Sequence, residues 1–373
     1  MPSVNKRQKT IILSGGGSGG SVTPLLAVAR KLWAEDSDLR LVFVGGKSGP
    51  ERELVASFSF PNHKMEFRSL PAGKLRRYFA WQNFVDIFKI LIAFFVSLNL
   101  IRQEKPGVVI GAGSFVSVPL CWVAYIFRVP VVVHQQDVRP GLANRLMAPF
   151  ARLVTVVFEK SLRDYGPEAV WIGNPFNEPA ENINDSVAHK VSCGLCPTKP
   201  LLLITGGGTG SVAINKLVFQ SVEKLSASAQ IMHLTGKGKL PSVSEQARLA
   251  KYPDYHFAEL LGNDEVFNLM MAADLVVSRC GLSTLTELSA LAKPAILIPM
   301  PESHQEDNAA VFDQAKAAII LQQSEIDTEK FRETVLQVLH DPIRREELSR
   351  NIGRFMKKDG AQIMASLILE ILK

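Results

Sequence analysis

The chain has little of three things, and each scarcity narrows what it can do. Cysteine is the first: four in 373 residues (Cys121, Cys193, Cys196 and Cys280) make a poor disulfide framework and fit a cytosolic protein. Cys193-Gly-Leu-Cys196 has metal-like spacing, but no second Cys or His pair accompanies it. His189 is the only nearby further ligand, so no four-ligand zinc site is expected. Long apolar runs are the second scarcity. No stretch supplies the ~20 clean apolar residues of a transmembrane helix, and Met1 to Thr10 is polar and basic with no apolar core, so no signal peptide is expected. The third is an acid after the second strand of either half. Glycine turns that hold a dinucleotide want an Asp or Glu about 20 residues on, to bind the ribose diol. Here those strands end Val44-Gly45-Gly46-Lys47 and Leu234-Thr235-Gly236-Lys237. That argues against NAD and leaves only an NADP reading, through Lys47.

What the chain does have is a pattern that occurs once in each half. Thr10-Ile11-Ile12-Leu13-Ser14 runs into Gly15-Gly16-Gly17-Ser18-Gly19-Gly20, and Leu201-Leu202-Leu203-Ile204-Thr205 runs into Gly206-Gly207-Gly208-Thr209-Gly210. Each is an apolar strand, a glycine-rich turn and then a helical pattern. Bare glycine backbone lets an anionic group approach, and the N–H groups of the next helix can hold it. Two such units, in a chain longer than one core usually serves, imply two α/β domains with the working site between them. The formal charge of +6 is moderately basic, which suits solubility or attraction to an anionic surface or phosphorylated ligand. No nucleic-acid partner is expected.

Strands and helices alternate throughout, the signature of parallel sheets with helical crossovers. Strands are expected at 11–13, 41–44, 108–110, 131–133 and 153–157, then at 201–205, 230–234, 275–277 and 295–298. Helices are expected at 22–33, 84–101 and 116–127, then at 212–225, 266–271, 283–291 and 307–316. The first domain is expected over 1–175 and the second over 176–355, with a polar linker from Glu178 to Lys199. A final helix over 356–373 would cross back onto the first domain. Phe84, Ile87, Phe88, Leu91, Phe95, Leu98 and Ile101 recur at helical spacing, after Lys74, Arg76, Arg77 and the aromatics Tyr78, Phe79 and Trp81. Such a stretch is either an interfacial helix on anionic lipid or a crossover helix buried on the sheet.

Polar groups concentrate just beyond strand ends. His134-Gln135-Gln136-Asp137, followed by Pro140-Gly141 and Asn144, places a His and an Asp where acid–base chemistry is done. A histidine bonded to backbone is the alternative. Ser278-Arg279-Cys280-Gly281, then Ser283, Thr284 and Glu287, is another small-residue turn into a helix N-terminus suited to phosphate. Glu287 either favours the helix dipole or accepts two bonds from a ribose diol. His304, Gln305 and Asn308 open a further helix, where they read sugar hydroxyls or cap a surface loop. Asp36-Ser37-Asp38 looks like a metal-nucleotide triplet but lies where the first helix runs out, and reads as a solvated loop.

In their order and spacing these segments resemble the MurG family, the N-acetylglucosaminyltransferases that complete lipid II in peptidoglycan synthesis. The resemblance rests on the first glycine run with Pro24 and Ala27-Val28-Ala29, on His134 to Asn144 and on Gly173-Asn174-Pro175. The second glycine turn, Arg279-Cys280-Gly281…Thr284…Glu287 and Gln305…Asn308 complete it, across nearly the whole chain. It implies a GT-B fold, two Rossmann-like domains with parallel sheets facing across a cleft. It implies inverting transfer from UDP-GlcNAc to the 4-hydroxyl of lipid I (undecaprenyl-diphospho-muramoyl peptide), with no metal and no cofactor. By position, Glu287 would bind the uridine ribose and Arg279 the edge of the uracil pocket. Gln305 would hold GlcNAc hydroxyls with Asn308 behind it, and Thr209 and Ser211 would lie near the diphosphate. Gly281, Thr284 and Asn177 complete the donor set. Gly17, Ser18, Gly19 and Gly20 would face the acceptor diphosphate, with Asn144, Lys74, Arg76 and Arg77 on the acceptor side. The 74–101 region would rest on an anionic membrane, at the cytoplasmic face, as a peripheral protein.

Several positions depart from the family. The histidine that normally follows the first glycine loop is Ser21, which cannot take a proton alone at neutral pH. The usual His-Glu-Gln-Asn reads His134-Gln135-Gln136-Asp137, moving the acid from second to fourth place. A family tyrosine is Phe115, the arginine after Gly-Asn-Pro-Val is Asn177, and the serine of the second turn is Gly208. Asp137 is therefore the expected general base, with His134 the second candidate and Ser21 at the vacated position. Another GT-B enzyme with a different lipid acceptor, or a silent nucleotide-sugar-binding protein, are the alternatives.

Overall fold

The computed structural model describes residues 9–17, 19–47, 49–71, 81–177 and 185–373, with side chains from 89 onward in the 81–104 helix. Ser18, Lys74, Arg76, Arg77, Tyr78 and Phe79, and the side chains of Trp81, Phe84, Ile87 and Phe88, lie outside the described residues. Two compact units divide the chain: Met1–Asn177 with Lys357–Lys373, and Glu178–Met356.

The first unit is built on β1 (Thr10–Ser14), β2 (Arg40–Gly46), β3 (Glu66–Leu70), β4 (Val108–Gly111), β5 (Val131–Gln135), β6 (Leu153–Val156) and β7 (Ala169–Trp171). Its helices are α1 (Thr23–Glu35), α2 (Glu51–Ser57), α3 (Trp81–Glu104), α4 (Ser117–Ile126) and α5 (Leu142–Met147). The seven strands pair in parallel in the order β3-β2-β1-β4-β5-β6-β7. Strand order reverses between β1 and β4, and in such sheets ligands bind outside the carboxyl ends at that point. β1 is buried at all five positions because both faces are covered. Ile11 and Leu13 pack with α1, while Ile12 packs on the opposite face with Leu120, Val123 and Ala124 of α4.

The second unit begins with α6 (Ser186–Ser192). It continues through β8 (Leu201–Thr205), α7 (Val212–Ser226), β9 (Gln230–Leu234), α8 (Val243–Leu249), β10 (Tyr255–Ala258) and α9 (Asn263–Ala272). β11 (Leu275–Ser278), α10 (Leu282–Ala290), β12 (Ala295–Leu297), α11 (His304–Gln314), β13 (Ile319–Ile320), α12 (Thr328–His340) and α13 (Pro342–Phe355) complete it. The six strands are parallel in the order β10-β9-β8-β11-β12-β13, again switching direction beside the strand that bears the glycine turn.

The last helix, α14 (Gly360–Ile371), belongs to the first unit and packs on α1. Ala361, Met364, Ala365 and Ile368 form its buried face at the spacing of one helix side, the last three within the cluster around Ile11 and Leu25. The stretch read as a linker holds α6, capped by Asp185, whose Oδ1 accepts the Ala188 N–H at 2.9 Å. Seven residues are too few for a periodic signal.

Candidate active site

In the second unit, the segments after β8, β11 and β12 are tied together by their own side chains. The glycine turn after β8 packs directly on the backbone after β9. A Cβ on Gly210 (φ +70°) would lie 2.2 Å from Thr235 O, so only glycine fits. Lys239 Nζ donates to Thr209 O (2.5 Å) and Gly210 O (3.0 Å), pinning the same turn from outside. Thr209 is exposed at its tip. Ser211 caps α7, its Oγ accepting the Ile214 N–H at 3.3 Å.

Arg279 joins the segments. Its Nη1 donates to Ile298 O (3.0 Å) and Pro299 O (2.9 Å), and its Nη2 to Ser211 Oγ (2.8 Å) and Gln323 Oε1 (2.6 Å). Four of the guanidinium's five N–H groups are thus used within the protein. Arg279, half-exposed, is thus a strut that fixes Ser211 against the loop after β12. Gln305 braces the same region. Its Oε1 accepts the Cys280 N–H (3.2 Å) and the Met300 N–H (3.1 Å), which leaves its amide nitrogen without a hydrogen bond to any described residue. Asn308, fully buried, donates to Cys280 O at 3.3 Å.

The helix start framed by these loops suits an anion. α10 begins after Gly281, which has no side chain to cap it, so its first-turn N–H groups remain available. Thr284 is buried on that turn, and Glu287 lies one turn further in. The Glu287 carboxyl is half-buried and makes no hydrogen bond to any described residue. Burial pushes it from its ordinary 4.5 up to about 7. A sequestered carboxyl with unused acceptor capacity is equipped to receive hydroxyl donors.

In the first unit, β5 ends in His134 and Gln135. His134 is fully buried, with Nδ1 at 2.9 Å from Thr155 Oγ1. Burial lowers its pKa to about 4, against a smaller raising effect of Asn174. The ring is therefore neutral at pH 7 and has no surface open to a substrate. This corrects the expectation that His134 takes part in proton transfer; it supports the strand end instead.

Gln135 knots the following loop. Its Nε2 donates to Asp137 O (2.6 Å) and Arg139 O (3.3 Å), and its Oε1 accepts Asn144 Nδ2 (2.6 Å) and Tyr165 OH (2.8 Å). Asn144, expected to meet the acceptor, is buried and spends its amide nitrogen on Gln135 and on His134 O. Gln136 reaches across to the first glycine turn, its Nε2 donating to Gly20 O at 2.5 Å. Asp137 is half-exposed beside that link. Ser21 is buried, its Oγ donating to Gly16 O (3.0 Å) and accepting the Gly16 N–H (2.9 Å). The structure thus brings Ser21, Gly20 and Asp137 into one connected corner.

Asn177 is exposed at the end of the first unit. The acidic pair reads as expected for a loop, with Asp36 closing α1 and its Oδ1 accepting the Asp38 N–H at 3.0 Å. Among the described residues no group of three or more His, Cys, Asp or Glu side chains is placed to hold a metal ion. Two residues that the sequence reading passed over sit in contact with the glycine turns, Lys239 and Glu51.

Two Rossmann-like parallel sheets, each with a glycine turn after its central strand, define a GT-B glycosyltransferase fold. The crystal structure of Acinetobacter baumannii MurG shares it, with a TM-score of 0.74 at 24% identity over 97% of this chain and 99% of that one. Residues 11–156 match the glycosyltransferase family 28 N-terminal domain, and residues 201–364 its C-terminal domain. A Clostridium kluyveri protein named UDP-N-acetylglucosamine–N-acetylmuramyl-(pentapeptide) pyrophosphoryl-undecaprenol N-acetylglucosamine transferase is 38% identical over 85% of this chain and 88% of its own length. A protein of the same name from Clostridium botulinum strain Kyoto is 32% identical over 98% of this chain and 100% of its own. The chain belongs to this family, the MurG transferases.

Proposed function

We propose that the chain transfers GlcNAc from UDP-GlcNAc to the 4-hydroxyl of lipid I, forming lipid II for peptidoglycan synthesis. The observation that carries this reading is the cluster in the second unit, in a chain homologous to these transferases along most of its length. An open carboxyl (Glu287), an anchored carboxamide with a spare N–H₂ (Gln305) and an uncapped helix start (Gly281) match a nucleoside, a sugar and a diphosphate in turn. Glu287 accepts the ribose hydroxyls, Gln305 donates to GlcNAc, and the α10 N–H groups with Thr209, Ser211 and Thr284 meet the diphosphate. Arg279 and Asn308 hold those groups in place. Charge that develops on the leaving UDP oxygen is stabilised by N–H dipoles already oriented toward it.

On the acceptor side, Asp137 takes the proton of the attacking hydroxyl as the new C1–O bond forms on the face opposite UDP. The test is transfer of radiolabelled GlcNAc from UDP-GlcNAc to a short-chain lipid I analogue with EDTA present, beside calorimetric titration of UDP-GlcNAc. Transfer in EDTA is the expected result. Binding without transfer would point to another acceptor or to a silent binding protein, and no binding would overturn the donor assignment.

The protein acts at the cytoplasmic face of the membrane as a peripheral protein. Among the described residues no helix is long and apolar enough to cross a membrane. Yet α3 exposes Leu91 (52%), Ile92 (54%), Phe95 (67%) and Val96 (40%), far more apolar surface than a crossover helix buried on its sheet would leave. The face follows the basic run Lys74, Arg76 and Arg77 in sequence, which suits insertion among anionic headgroups. Replacing Leu91 and Phe95 together by aspartate removes two side chains worth about 1.5–3 kcal/mol each when buried, so vesicle affinity is expected to fall at least about tenfold. Co-sedimentation with phosphatidylglycerol vesicles measures it, and unchanged binding would exclude this face.

A further inference from the structure

The first glycine turn is occupied from inside the fold. Glu51, the first residue of α2, is 2% exposed. Its Oε1 accepts the Gly46 N–H at 2.7 Å and its Oε2 the Gly17 N–H at 3.2 Å. Glycines shape the slot around it. A Cβ on Gly49 would lie 2.0 Å from Oε2, one on Gly16 2.6 Å from Oε1, and one on Gly45 2.6 Å from Glu51 Cγ. These glycines therefore have a use that requires no phosphate, since they admit a buried carboxylate. Hydrogen bonds from backbone N–H to an ionised carboxylate are among the stronger ones. A second anion approaching the Gly17 N–H would meet like charge and a donor already taken.

The contact reaches the reacting corner through a short chain of bonds. Gly17 adjoins Gly16, whose N–H and carbonyl are both held by Ser21 Oγ. Ser21 adjoins Gly20, whose carbonyl receives Gln136 Nε2, and Gln136 precedes Asp137. We propose that Glu51 is a positioning residue for the acceptor half of the reaction: an internal carboxylate that sets the first glycine turn and, through Ser21, Gly20 and Gln136, the placement of Asp137. It rests on the reading of Asp137 as the base. It also corrects the expectation for Gly17, whose N–H is spent on Glu51 and is not offered to the acceptor diphosphate.

Full-length Glu51→Ala and Glu51→Gln tested against wild type decide the matter. Both variants are expected to lose about tenfold or more in kcat with the lipid I analogue, because the buried Gly46 N–H and the Gly17 N–H at the turn lose their carboxylate partner. Their affinity for UDP-GlcNAc is expected to stay at the wild-type value. Formate should enter the space vacated in Glu51→Ala and restore turnover saturably, while chloride at equal ionic strength should not. A merely destabilised fold would show no such rescue. Glu51→Gln keeps the side-chain volume and gives the kcat comparison if Glu51→Ala does not fold. Wild-type turnover in both variants, or a loss in Glu51→Ala that formate leaves unchanged, overturns the proposal. An inactive wild type overturns the reading of function itself, whereas an active wild type beside unaffected variants overturns this proposal alone.

Discussion

Asp137→Asn is expected to lower kcat by about 10²–10⁴, the usual contribution of a positioned general base, while UDP-GlcNAc binds as before. Three side chains were candidates for taking the acceptor's proton, and the structure treats them differently. Ser21 Oγ is tied to both backbone groups of Gly16, and a hydroxyl held this way has nowhere to pass a proton. His134 is neutral, with a pKa of about 4, but it is fully buried with Thr155 on one ring nitrogen. Asp137 is half-exposed, and Gln136 fastens its loop to Gly20. Asparagine keeps the shape and loses the basicity, so the loss should fall on kcat and spare the donor's dissociation constant. Single-turnover transfer with donor affinity measured in parallel separates the two. Undiminished turnover in Asp137→Asn would remove Asp137 from the chemistry. In that event His134→Ala becomes informative only through stability, because the ring is fully buried on an interior strand.

The central strands were legible because burial on both faces leaves a continuous apolar run, as in Ile11–Leu13 and Leu201–Ile204. The edge strands were not. β3 reads Glu-Phe-Arg-Ser-Leu and is mostly half-exposed, and β13 is two residues long, so neither shows a pattern distinct from loop. Helices α2, α6 and α8 have seven residues each, short of the two turns that make a periodicity visible. In the site, local chemistry was readable where one segment supplies it, as with Gly281, Thr284 and Glu287 on one helix start. It failed where the deciding partner is distant in sequence. The family pattern marked Arg279, but its hydrogen bonds to Ile298, Pro299 and Gln323 come from segments that no local pattern links to it. The first glycine turn likewise reads as a phosphate cradle until Glu51, from the segment after β2, is found inside it.

Donor affinity is expected to weaken as pH falls through 7, by about tenfold per unit well below that point, if only ionised Glu287 accepts the ribose hydroxyls. Burial holds the empty site's carboxyl at about 7 instead of 4.5. At pH 6 most of the unliganded protein therefore carries this proton, and two hydroxyl donors arriving at the carboxyl must expel it. Calorimetry of UDP-GlcNAc binding at pH 6 in buffers of different ionisation enthalpy should show nearly one proton released, and at pH 8 almost none. UDP-GlcNAc is the right probe because its diphosphate is a diester with no proton to lose in this range. Glu287→Gln should flatten the profile and, at pH 8, bind about 10–100-fold more weakly, the loss of hydrogen bonds to a charged group. The sign for stability is the reverse of the sign for binding. The native protein holds the proton between pH 4.5 and about 7, where the unfolded chain has released it. The unliganded protein should therefore lose stability as pH rises through that window, and saturating donor should remove the loss. A dissociation constant that stays flat from pH 6 to 8 in the wild type would mean that the ribose is held by another group. With both slopes present in wild type and absent in Glu287→Gln, one carboxyl accounts for a site that is most stable protonated and binds best ionised.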